Sequence, residues 1–177
     1  TQEAHPPTTP GRPRLYGRAK GKPLRSIQQG LMDNLYPEIK IKDDPLEGLS
    51  AYKRTWLEIG FGGSEHLIWQ AQHNPDVAVL GAEPFLNGAA KAVAGVDEYG
   101  LSNVRVHQGD GREIMDRLPN GSLECLFVLF PDPWPKARHN KRRIITPEFL
   151  EDVHRLLGDG GRFRFASDII NYVDWTL

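Results

Sequence analysis

The sequence predicts an α/β fold built on a doubly wound, mostly parallel β-sheet. From Thr55 onwards, short apolar runs alternate with longer segments that carry helix start and stop signals. The run Leu123–Phe130 is apolar almost throughout, as expected for a central parallel strand that is buried on both faces. Sheets of this kind bind ligands at the carboxyl ends of their strands, near the point where the strand order reverses. The residues that follow each predicted strand are therefore the candidates for chemistry.

The chain before the sheet divides into a tail, an arm and a helical connector. Its first residues, Thr1 to about Gly11, are rich in proline and threonine and are expected to form a disordered tail. Residues 12–25 are expected to form an exposed basic arm, so that the folded domain spans 26–177. A short helix, Ser26–Leu35, and a polar connector at 37–53 lead into the sheet. The arm contains no acid, and its cations are Arg12, Arg14, Arg18, Lys20, Lys22 and Arg25.

Strands and helices alternate after this connector. The predicted strands are Thr55–Ile59, Val77–Ala82, Val104–Gln108, Leu123–Phe130 and Arg162–Ser167. The predicted helices are Ser64–His73, Phe85–Tyr99, Arg112–Leu118, one from Thr146 to the glycines at 158–161, and one from Ile169. Ser64 is expected to cap the first of these helices, and Gly100 to end the second in a left-handed conformation. Thr146, Pro147 and Glu148 supply a cap, a first-turn proline and a first-turn acid for the fourth.

Composition excludes several classes of protein. The 177 residues contain no apolar segment long enough to span a membrane, and no apolar signal core, so a cytoplasmic protein is expected. The single cysteine, Cys125, lies in an apolar run, which excludes a disulfide framework and a thiolate metal site. No cluster of histidines, cysteines and carboxylates has metal-ligand spacing. The net charge is −1, yet cations concentrate at 12–25 and 136–143, which favours a polyanionic partner.

A glycine-rich turn follows the first predicted strand. The sequence there is Glu58-Ile59-Gly60-Phe61-Gly62-Gly63, in which Gly60 and Gly62 allow a sharp turn and the close approach of a ligand. A strand-to-helix turn without any ligand is the alternative. Glu58 favours a ligand, because a carboxylate inside a buried strand is costly without a cationic or hydroxyl-bearing partner.

Further carboxylates follow three other predicted strands. Glu83 is placed to accept hydrogen bonds from ribose hydroxyls, or is a solvated acid before a proline turn. Asp110 is a candidate for binding an adenine amino group or for capping the helix at Arg112. Asp168 is likewise a candidate ligand or a helix cap. Glu65 stands where a dinucleotide-binding fingerprint has its third glycine, which argues weakly against NAD.

The segment Phe130–Arg143 joins a constrained acid to a cationic cluster. Phe130, Asp132 and Trp134 each precede a proline, so extended conformations are expected at all three. This would aim the Asp132 carboxylate with little entropy lost on binding, and Trp134 is placed to stack on a base or to pack against the sheet edge. The basic residues that follow could form an ordinary solvated face or a phosphate-binding face, and phosphate binding is favoured. They are Lys136, Arg138, His139, Lys141, Arg142 and Arg143.

These motifs occur together in one known family. They are E-I-G-F-G-G at 58–63, the strand-end acids at 83 and 110, P-D-P-W-P-K at 131–136, R-H-N-K-R-R at 138–143 and S-D at 167–168. From about residue 14 to its end, the chain resembles the bacterial tRNA (guanine-N7-)-methyltransferase family. The resemblance implies a class I, Rossmann-like methyltransferase that transfers a methyl group from S-adenosyl-L-methionine to N7 of a guanine in the variable loop of tRNA.

The resemblance also implies a role for each matched position. Asp132 would be the catalytic acid and would also contact the cofactor. The other cofactor-binding residues would be Glu58, Gly60, Gly62, Glu83 and Asp110. Lys136 and Asp168 would bind the substrate, and no metal is implied. The residues that contact RNA would be Arg138, His139, Lys141, Arg142 and Arg143.

The chain departs from the family pattern at two places. Ser64 stands where the family often has another glycine, which puts cofactor affinity in question. The family normally continues beyond position 177 with further strands and a guanine-binding segment. The resemblance therefore implies a C-terminally incomplete domain that lacks the last strands.

The chemistry of the acceptor limits what Asp132 has to do. Guanine N7 carries an in-plane lone pair, so no base is needed, and positioning and electrostatics remain. Asp132 is expected to stabilise positive charge as it moves onto the purine, or to hydrogen-bond the guanine edge. Asp168 is expected to take other donors on that edge, and Lys136 to hold a phosphate or the guanine carbonyl oxygen.

Two alternatives to a tRNA methyltransferase stay open at this point. One is an RNA-binding subunit without catalytic activity. The other is an NAD-dependent dehydrogenase, which would explain the glycine turn and Glu83 but not the loop at Asp132. The sequence does not distinguish a monomer from a homodimer.

Overall fold

The computed structural model describes residues 14–177. Its centre is one sheet of five parallel strands in the order β3-β2-β1-β4-β5. The strands are β1 (Arg54–Ile59), β2 (Val77–Ala82), β3 (Val104–His107), β4 (Leu123–Leu129) and β5 (Leu157–Ala166). The predicted α/β class with a parallel, doubly wound sheet is therefore confirmed. The predicted tail at 1–11 and Arg12 lie outside the described residues.

The strand order reverses between β1 and β4. β1 pairs with β2 on one side and with β4 on the other, with Leu57 opposite Leu80 and Leu126. The chain builds outwards from β1 to β3 and then crosses back to start β4 beside β1. Such a reversal opens a crevice at the carboxyl ends of the two central strands. The glycine turn after β1 and the loop after β4 both leave the sheet at this crevice.

Helices cover both faces of the sheet. They are α1 (Ser26–Asn34), α2 (Tyr36–Ile39), α3 (Glu65–His73), α4 (Leu86–Tyr99), α5 (Gly111–Arg117), α6 (Pro147–Leu156) and α7 (Ile170–Thr176), with a 3-10 helix at Ala137–Arg142. Among the described residues, no helix combines the length and the apolar character needed to cross a bilayer.

The buried side chains divide into two cores, one on each face. In β2, Ala78, Leu80 and Ala82 belong to one core, while Val77 and Val79 belong to the other. This alternation is the period of two that a strand imposes when both of its faces are covered. Cys125 lies in β4 and is buried, as expected, and burial raises the pKa of its thiol.

Two of the predicted helix signals are confirmed. Gly100 ends α4 at φ +60°, in the left-handed region that glycine adopts without strain. Thr146 caps α6, where its Oγ1 accepts a hydrogen bond from the Phe149 amide at 3.2 Å. These side chains and backbone conformations fix where the helices begin and end.

The predicted cap at Ser64 is wrong. Ser64 precedes α3, but it has φ +71° and its side chain accepts no cap hydrogen bond. The tight turn explains this, because the Ser64 amide is used to donate to the Phe61 carbonyl at 2.9 Å. A residue in the left-handed region turns its side chain away from the amides that a cap would serve.

The predicted start of the fifth strand is also wrong. Glycines at 158–161 were expected to form the loop after α6, but β5 begins at Leu157 and contains them. Leu157 pairs with Leu123, and the register then shifts before Cys125 pairs with Arg162. Gly160, at φ +73°, lies within this irregular stretch, where extra residues can be absorbed without breaking the strand.

Candidate active site

The glycine turn after β1 leaves open space beside its backbone. Gly60 has φ +71° and Gly62 has φ +55°, and a Cβ atom on either would meet nothing within 4 Å. Both positions therefore require glycine for their conformation, while the adjacent space stays free for a ligand. On the other side of the turn, a Cβ on Gly88 of α4 would collide with the Gly62 carbonyl oxygen. The turn is thus clamped against the start of α4.

Glu58 finds its partner within the protein. It is only 4% exposed near the carboxyl end of β1, and its Oε2 accepts a hydrogen bond from Nδ1 of His66 at 2.8 Å. His66 lies on α3, which begins directly after the glycine turn. A buried carboxylate needs a partner, and for Glu58 this histidine, which the sequence does not single out, is one.

Glu83 accepts two backbone hydrogen bonds just after β2. Its Oε2 accepts from the Gly62 amide at 2.8 Å, and its Oε1 accepts from the Phe85 amide at 2.9 Å. Burial raises the pKa of this carboxyl, the two amides oppose that change, and the negative charge of Asp132 adds to it. The alternative of a solvated acid is wrong, because Glu83 is only 7% exposed.

Asp110 acts as a helix cap in this structure. Its Oδ1 accepts from the Arg112 amide at 3.0 Å, which fixes the start of α5. The Arg112 guanidinium also binds the same carboxylate, with Nη2 and Oδ2 separated by 2.7 Å. Capping does not exclude ligand binding, since a carboxylate offers about four acceptor sites. Any adenine at Asp110 would share this carboxylate with Arg112.

The loop after β4 turns sharply at two of its three pre-proline residues. Phe130 has φ +50° and Trp134 has φ +42°, so the predicted extended conformation is wrong at both. The Phe130 amide still donates to the Ala166 carbonyl of β5 at 2.8 Å, and the chain must then leave the sheet at once. A proline disfavours right-handed helical conformations before it, and the left-handed turn satisfies that restriction at a cost of about 1–3 kcal/mol.

The basic arm lies along the active-site face of the sheet. Its Arg and Lys side chains within the described residues, from Arg14 to Arg25, are exposed, as expected, but its backbone is bound to the start of α4. The Ala19 carbonyl accepts from the Leu86 amide at 3.0 Å, and the Gly21 amide donates to Oδ1 of Asn87, also at 3.0 Å. Asn87 Nδ2 in turn donates to the Lys22 carbonyl at 2.8 Å. Gly21 is required here, because a Cβ would collide with the Phe85 ring.

The arm also binds the loop after β4 through a stack of rings and one guanidinium. The Arg142 guanidinium lies over Tyr16 at 4.6 Å and over Trp134 at 5.0 Å, and the two rings meet edge to face at 6.1 Å. Such contacts stabilise by about 0.5–2 kcal/mol each. The arm, the Glu83 turn and the loop after β4 thereby enclose an open cleft of about 800 Å³. Its lining includes Tyr16, Glu83, Phe85, Asp132 and Trp134.

The predicted cofactor residues fall into two groups around this cleft. Glu83 and Asp132 line it, whereas Glu58 and Asp110 do not. Glu58 lies behind it, in β1 beside the strand that leads into Glu83, and Asp110 follows β3 at the next strand end. The open glycine backbone and these acids suit a ligand that carries hydroxyls and positive charge. Within residues 14–177, no group of three or more potential metal-ligating side chains lies close enough to hold a metal ion.

Comparison with known proteins identifies the family. A family model described as "Putative methyltransferase" matches residues 52–177. The tRNA (guanine-N(7)-)-methyltransferase of Caulobacter vibrioides strain NA1000 / CB15N is 49% identical over 176 residues, which cover 96% of this chain and 78% of that protein. The tRNA (guanine-N(7)-)-methyltransferase of Rhodospirillum rubrum is 48% identical, and the alignment covers 93% of this chain and 68% of that protein.

The chain belongs to the tRNA (guanine-N(7)-)-methyltransferase family. Solved structures show that its fold is that of methyltransferases in general. The 16S rRNA methyltransferase KamB superposes with a TM-score of 0.54 at 23% identity, over 70% of this chain and 57% of that chain. A methyltransferase described as antibiotic related superposes with a TM-score of 0.51 at 19% identity, over 72% of this chain and 64% of that chain. The predicted family and methyltransferase fold are confirmed, and the dehydrogenase alternative is wrong.

The segment that the family pattern assigns to RNA divides into exposed and enclosed residues. Lys136, Arg138 and Lys141 are exposed, and His139 and Arg142 are half-buried against Trp134. Desolvation and the surrounding cations lower the pKa of His139. These five side chains thus remain accessible to different degrees on one 3-10 turn and the residue before it.

Arg143 differs from the rest of this run. It is only 2% exposed, and its guanidinium donates to the Pro133 carbonyl at 2.8 Å and to Oδ1 of Asn171 at 2.7 Å. The same guanidinium lies over Tyr172 at 4.6 Å and Trp175 at 5.3 Å. The expectation of an exposed, RNA-facing Arg143 is therefore wrong in this structure. Its geometry is that of a residue that ties the loop after β4 to α7.

Asp168 lies exposed between β5 and α7 and does not cap the helix. The Ile169 amide instead donates to Oγ of Ser167 at 3.1 Å, and α7 begins at Ile170 without a side-chain cap. The helix-cap alternative for Asp168 is wrong. Its exposure leaves the carboxylate available to a substrate, as the family pattern implies.

Sequence reasoning missed three features of this site. The histidine partner of Glu58 has a signal, because His66, Gln70 and Asn74 recur at the four-residue spacing of one helix face. The Arg112 partner of Asp110 has a weaker one, an acid and a base two residues apart at a helix start. The docking of the arm has no sequence signal, because a run of cations and glycines does not indicate which surface it packs against.

Proposed function

We propose that this protein transfers a methyl group from S-adenosyl-L-methionine to N7 of a guanine in the variable loop of tRNA. The observation that carries the proposal is the position of Asp132. It follows β4 at the reversal of strand order and lines the same cleft as Glu83, close enough for its charge to raise the pKa of that carboxyl. The relatives are named as tRNA (guanine-N(7)-)-methyltransferases, which supports guanine N7 of tRNA as the acceptor.

The acids around the cleft suit the parts of such a donor. Glu83 can accept further hydrogen bonds from ribose hydroxyls while it holds the glycine turn through the Gly62 amide. When bound, S-adenosyl-L-methionine supplies a methyl group attached to a positively charged sulfur. Asp132 is exposed to the cleft, where its carboxylate can stabilise positive charge that moves onto the acceptor base.

The loop after β4 presents the acceptor side. Guanine N7 needs no base, so the protein has to place the ring and stabilise the developing charge. Strained backbone at Phe130 and Trp134 holds Asp132 in a fixed direction, since such conformations persist only where neighbours impose them. Lys136 and Asp168 are exposed on the loop and beyond β5, and we assign them to the substrate.

The decisive experiment measures methyl transfer and donor binding separately. Wild-type protein, labelled S-adenosyl-L-methionine and unmodified tRNA are expected to yield 7-methylguanosine in the variable loop. Asp132→Asn keeps the size of the side chain and removes its charge, so it is expected to lower the transfer rate by at least a hundredfold, a loss typical for an electrostatic group at a transition state. Exposed Asp97→Asn is the matched control.

Two outcomes would overturn this proposal. Transfer by Asp132→Asn at the wild-type rate would remove Asp132 from the reaction. Binding of tRNA by the wild-type protein without any methyl transfer would favour the non-catalytic alternative.

A further inference from the structure

A line of hydrogen bonds along α3 ends at Glu58. Asn74 Nδ2 donates to Oε1 of Gln70 at 3.2 Å, and Gln70 Nε2 contacts Nε2 of His66 at 3.0 Å. His66 Nδ1 then contacts Oε2 of Glu58 at 2.8 Å. Since the Gln70 amide nitrogen can only donate, Nε2 of His66 accepts and Nδ1 carries the proton. The direction of every bond therefore leads from the helix towards the carboxylate.

The imidazole is also held by its neighbours in the sheet. Its ring meets Phe127 of β4 edge to face at 4.9 Å, and Phe127 in turn meets Trp56 of β1 at 5.9 Å. The His66 side chain is 33% exposed to solvent, whereas the Glu58 side chain is only 5% exposed. The histidine thus has one fixed orientation at the edge of the site, and the carboxylate beneath it is nearly enclosed.

The second oxygen of Glu58 is left for a ligand. Within residues 14–177, His66 is the only hydrogen-bond partner of this carboxylate, and it uses Oε2. Glu58 lies one residue before Ile59 and the open turn at Gly60 and Gly62. A carboxylate with one oxygen fixed and the other free is oriented to accept from a cationic group.

We infer that His66 is a positioning residue for the methyl donor, which orients Glu58 so that its free oxygen accepts from the ammonium group of S-adenosyl-L-methionine. This inference rests on the proposed function, because it takes the donor from there. His66 acts through Glu58 and does not itself touch the reacting atoms. In this arrangement the ligand supplies the cation that pairs with the Glu58 carboxylate.

Two substitutions at His66 separate positioning from packing. His66→Asn places an amide nitrogen where Nδ1 stands and can still donate to Glu58, whereas His66→Gln places its amide near Nε2 and cannot. We expect His66→Asn to bind the donor within about threefold of wild type. His66→Gln is expected to bind it roughly tenfold more weakly, since a hydrogen bond to a charged group is lost. Calorimetric titration of S-adenosyl-L-methionine into RNA-free protein measures both.

A matched control and a kinetic readout complete the test. His73→Gln alters the other histidine of α3, which is exposed and stacks on Trp69, and it is expected to leave donor binding unchanged. In methyl-transfer assays, His66→Gln should raise KM for S-adenosyl-L-methionine and leave KM for tRNA at the wild-type value. Thermal unfolding of each variant checks that the fold is retained.

The inference and the proposed function fail in different ways. Wild-type donor affinity in His66→Gln, or equal losses in His66→Asn and His66→Gln, would overturn the role of His66 and leave the function standing. If wild-type protein binds S-adenosyl-L-methionine but transfers no methyl group to tRNA, the proposed function is wrong. The binding comparison then still decides the role of His66.

Discussion

Arg143 and Lys141 stand two positions apart in one cationic run, yet only Lys141 is exposed. The Arg143 guanidinium fills a site made of three hydrogen-bond acceptors and two aromatic rings, which its planar fork fits and an ammonium does not. At this scale, charge in the sequence indicates what a residue could bind, and burial determines what it does bind.

Replacing Arg143 is therefore expected to destabilise the fold. Arg143→Ala removes three hydrogen bonds from a charged donor, to the Pro133 carbonyl and to the carbonyl and Oδ1 of Asn171. We expect the free energy of unfolding to fall by about 2–3 kcal/mol. Lys141→Ala is the control and should change it by less than about 0.5 kcal/mol, as surface substitutions do. Urea unfolding of both variants measures the difference, and equal stabilities would show that the Arg143 contacts contribute nothing.

Glu83 should make stability depend on pH in a direction opposite to that of a salt-bridged acid. Burial raises the pKa of its carboxyl in the folded protein above the ordinary value. A raised folded pKa means that the folded state holds the proton more tightly than the unfolded state. Its contribution to stability is then complete below the unfolded pKa and is lost as pH rises through the folded pKa.

The measurement compares wild type with Glu83→Gln by urea unfolding from acid to neutral pH. The wild-type free energy of unfolding, relative to the variant, is expected to fall as pH rises from the unfolded pKa of Glu83 through its folded pKa. Exposed Glu47→Gln controls for the loss of a surface carboxylate. A difference that rises with pH would contradict a raised pKa of the buried Glu83 carboxyl.

At the scale of elements, α4 packs backbone to backbone against the glycine turn. Gly88 of α4 approaches the Gly62 carbonyl so closely that a methyl group has no room, and the collision is with backbone. A helix start and a turn that touch backbone to backbone can adjust only by moving apart. The position of α4 therefore sets the width of the glycine turn.

Gly88→Ala is expected to push α4 away from the turn. Overpacking of this kind costs about 1–3 kcal/mol, and we expect donor affinity to fall as well because Gly62 also holds Glu83. Gly30→Ala, within α1 and with nothing near its Cβ position, is the control and should stabilise the protein by about 0.5–1 kcal/mol. Thermal unfolding and calorimetry test both variants, and a neutral Gly88→Ala would show that the turn is free to move.

Local sequence patterns predicted most elements and failed where tertiary contacts decide. Gly100 and Thr146 act as expected, because a cap and a left-handed stop depend on a few neighbouring residues. Phe130 and Trp134 do not, because the edge of β5 and the arm impose conformations that the following prolines alone would not select. The site was predicted in part for the same reason: Glu83 and Asp132 are strand-end acids, whereas His66 reaches Glu58 only once α3 has packed on the sheet.

For the molecule as a whole, the distribution of charge matters more than its sum. The net charge is −1, yet exposed cations lie on the arm, which lines the cleft, and on the 3-10 helix that follows the loop after β4. Arg138 and Lys141 are exposed on the loop side, and Arg18 lines the cleft from the arm side. This arrangement suits a polyanion that passes over the cleft.

Each exposed cation that contacts phosphate should appear in the salt dependence of tRNA binding. Lys141→Ala is expected to reduce the slope of log affinity against log salt by about 0.7–0.9, and Arg138→Ala by a similar amount, because each releases one counterion fewer. Exposed Lys53→Ala, ahead of β1 and away from the loop, is the control. Filter binding over a range of salt concentrations gives the slopes. Unchanged slopes in both loop variants would remove these residues from the RNA interface.

The strand order also determines when the site can form during synthesis. β1 has β2 beside it within a short stretch of chain, but its other neighbour is β4, with Trp56 opposite Cys125. Until β4 leaves the ribosome, β1 has an unpaired edge of the kind that joins to other chains. The loop that holds Asp132 follows β4 directly, and β5 comes later still. We therefore expect the loop that holds Asp132 to be among the last parts to order, and a nascent chain stopped before β4 to need protection from aggregation.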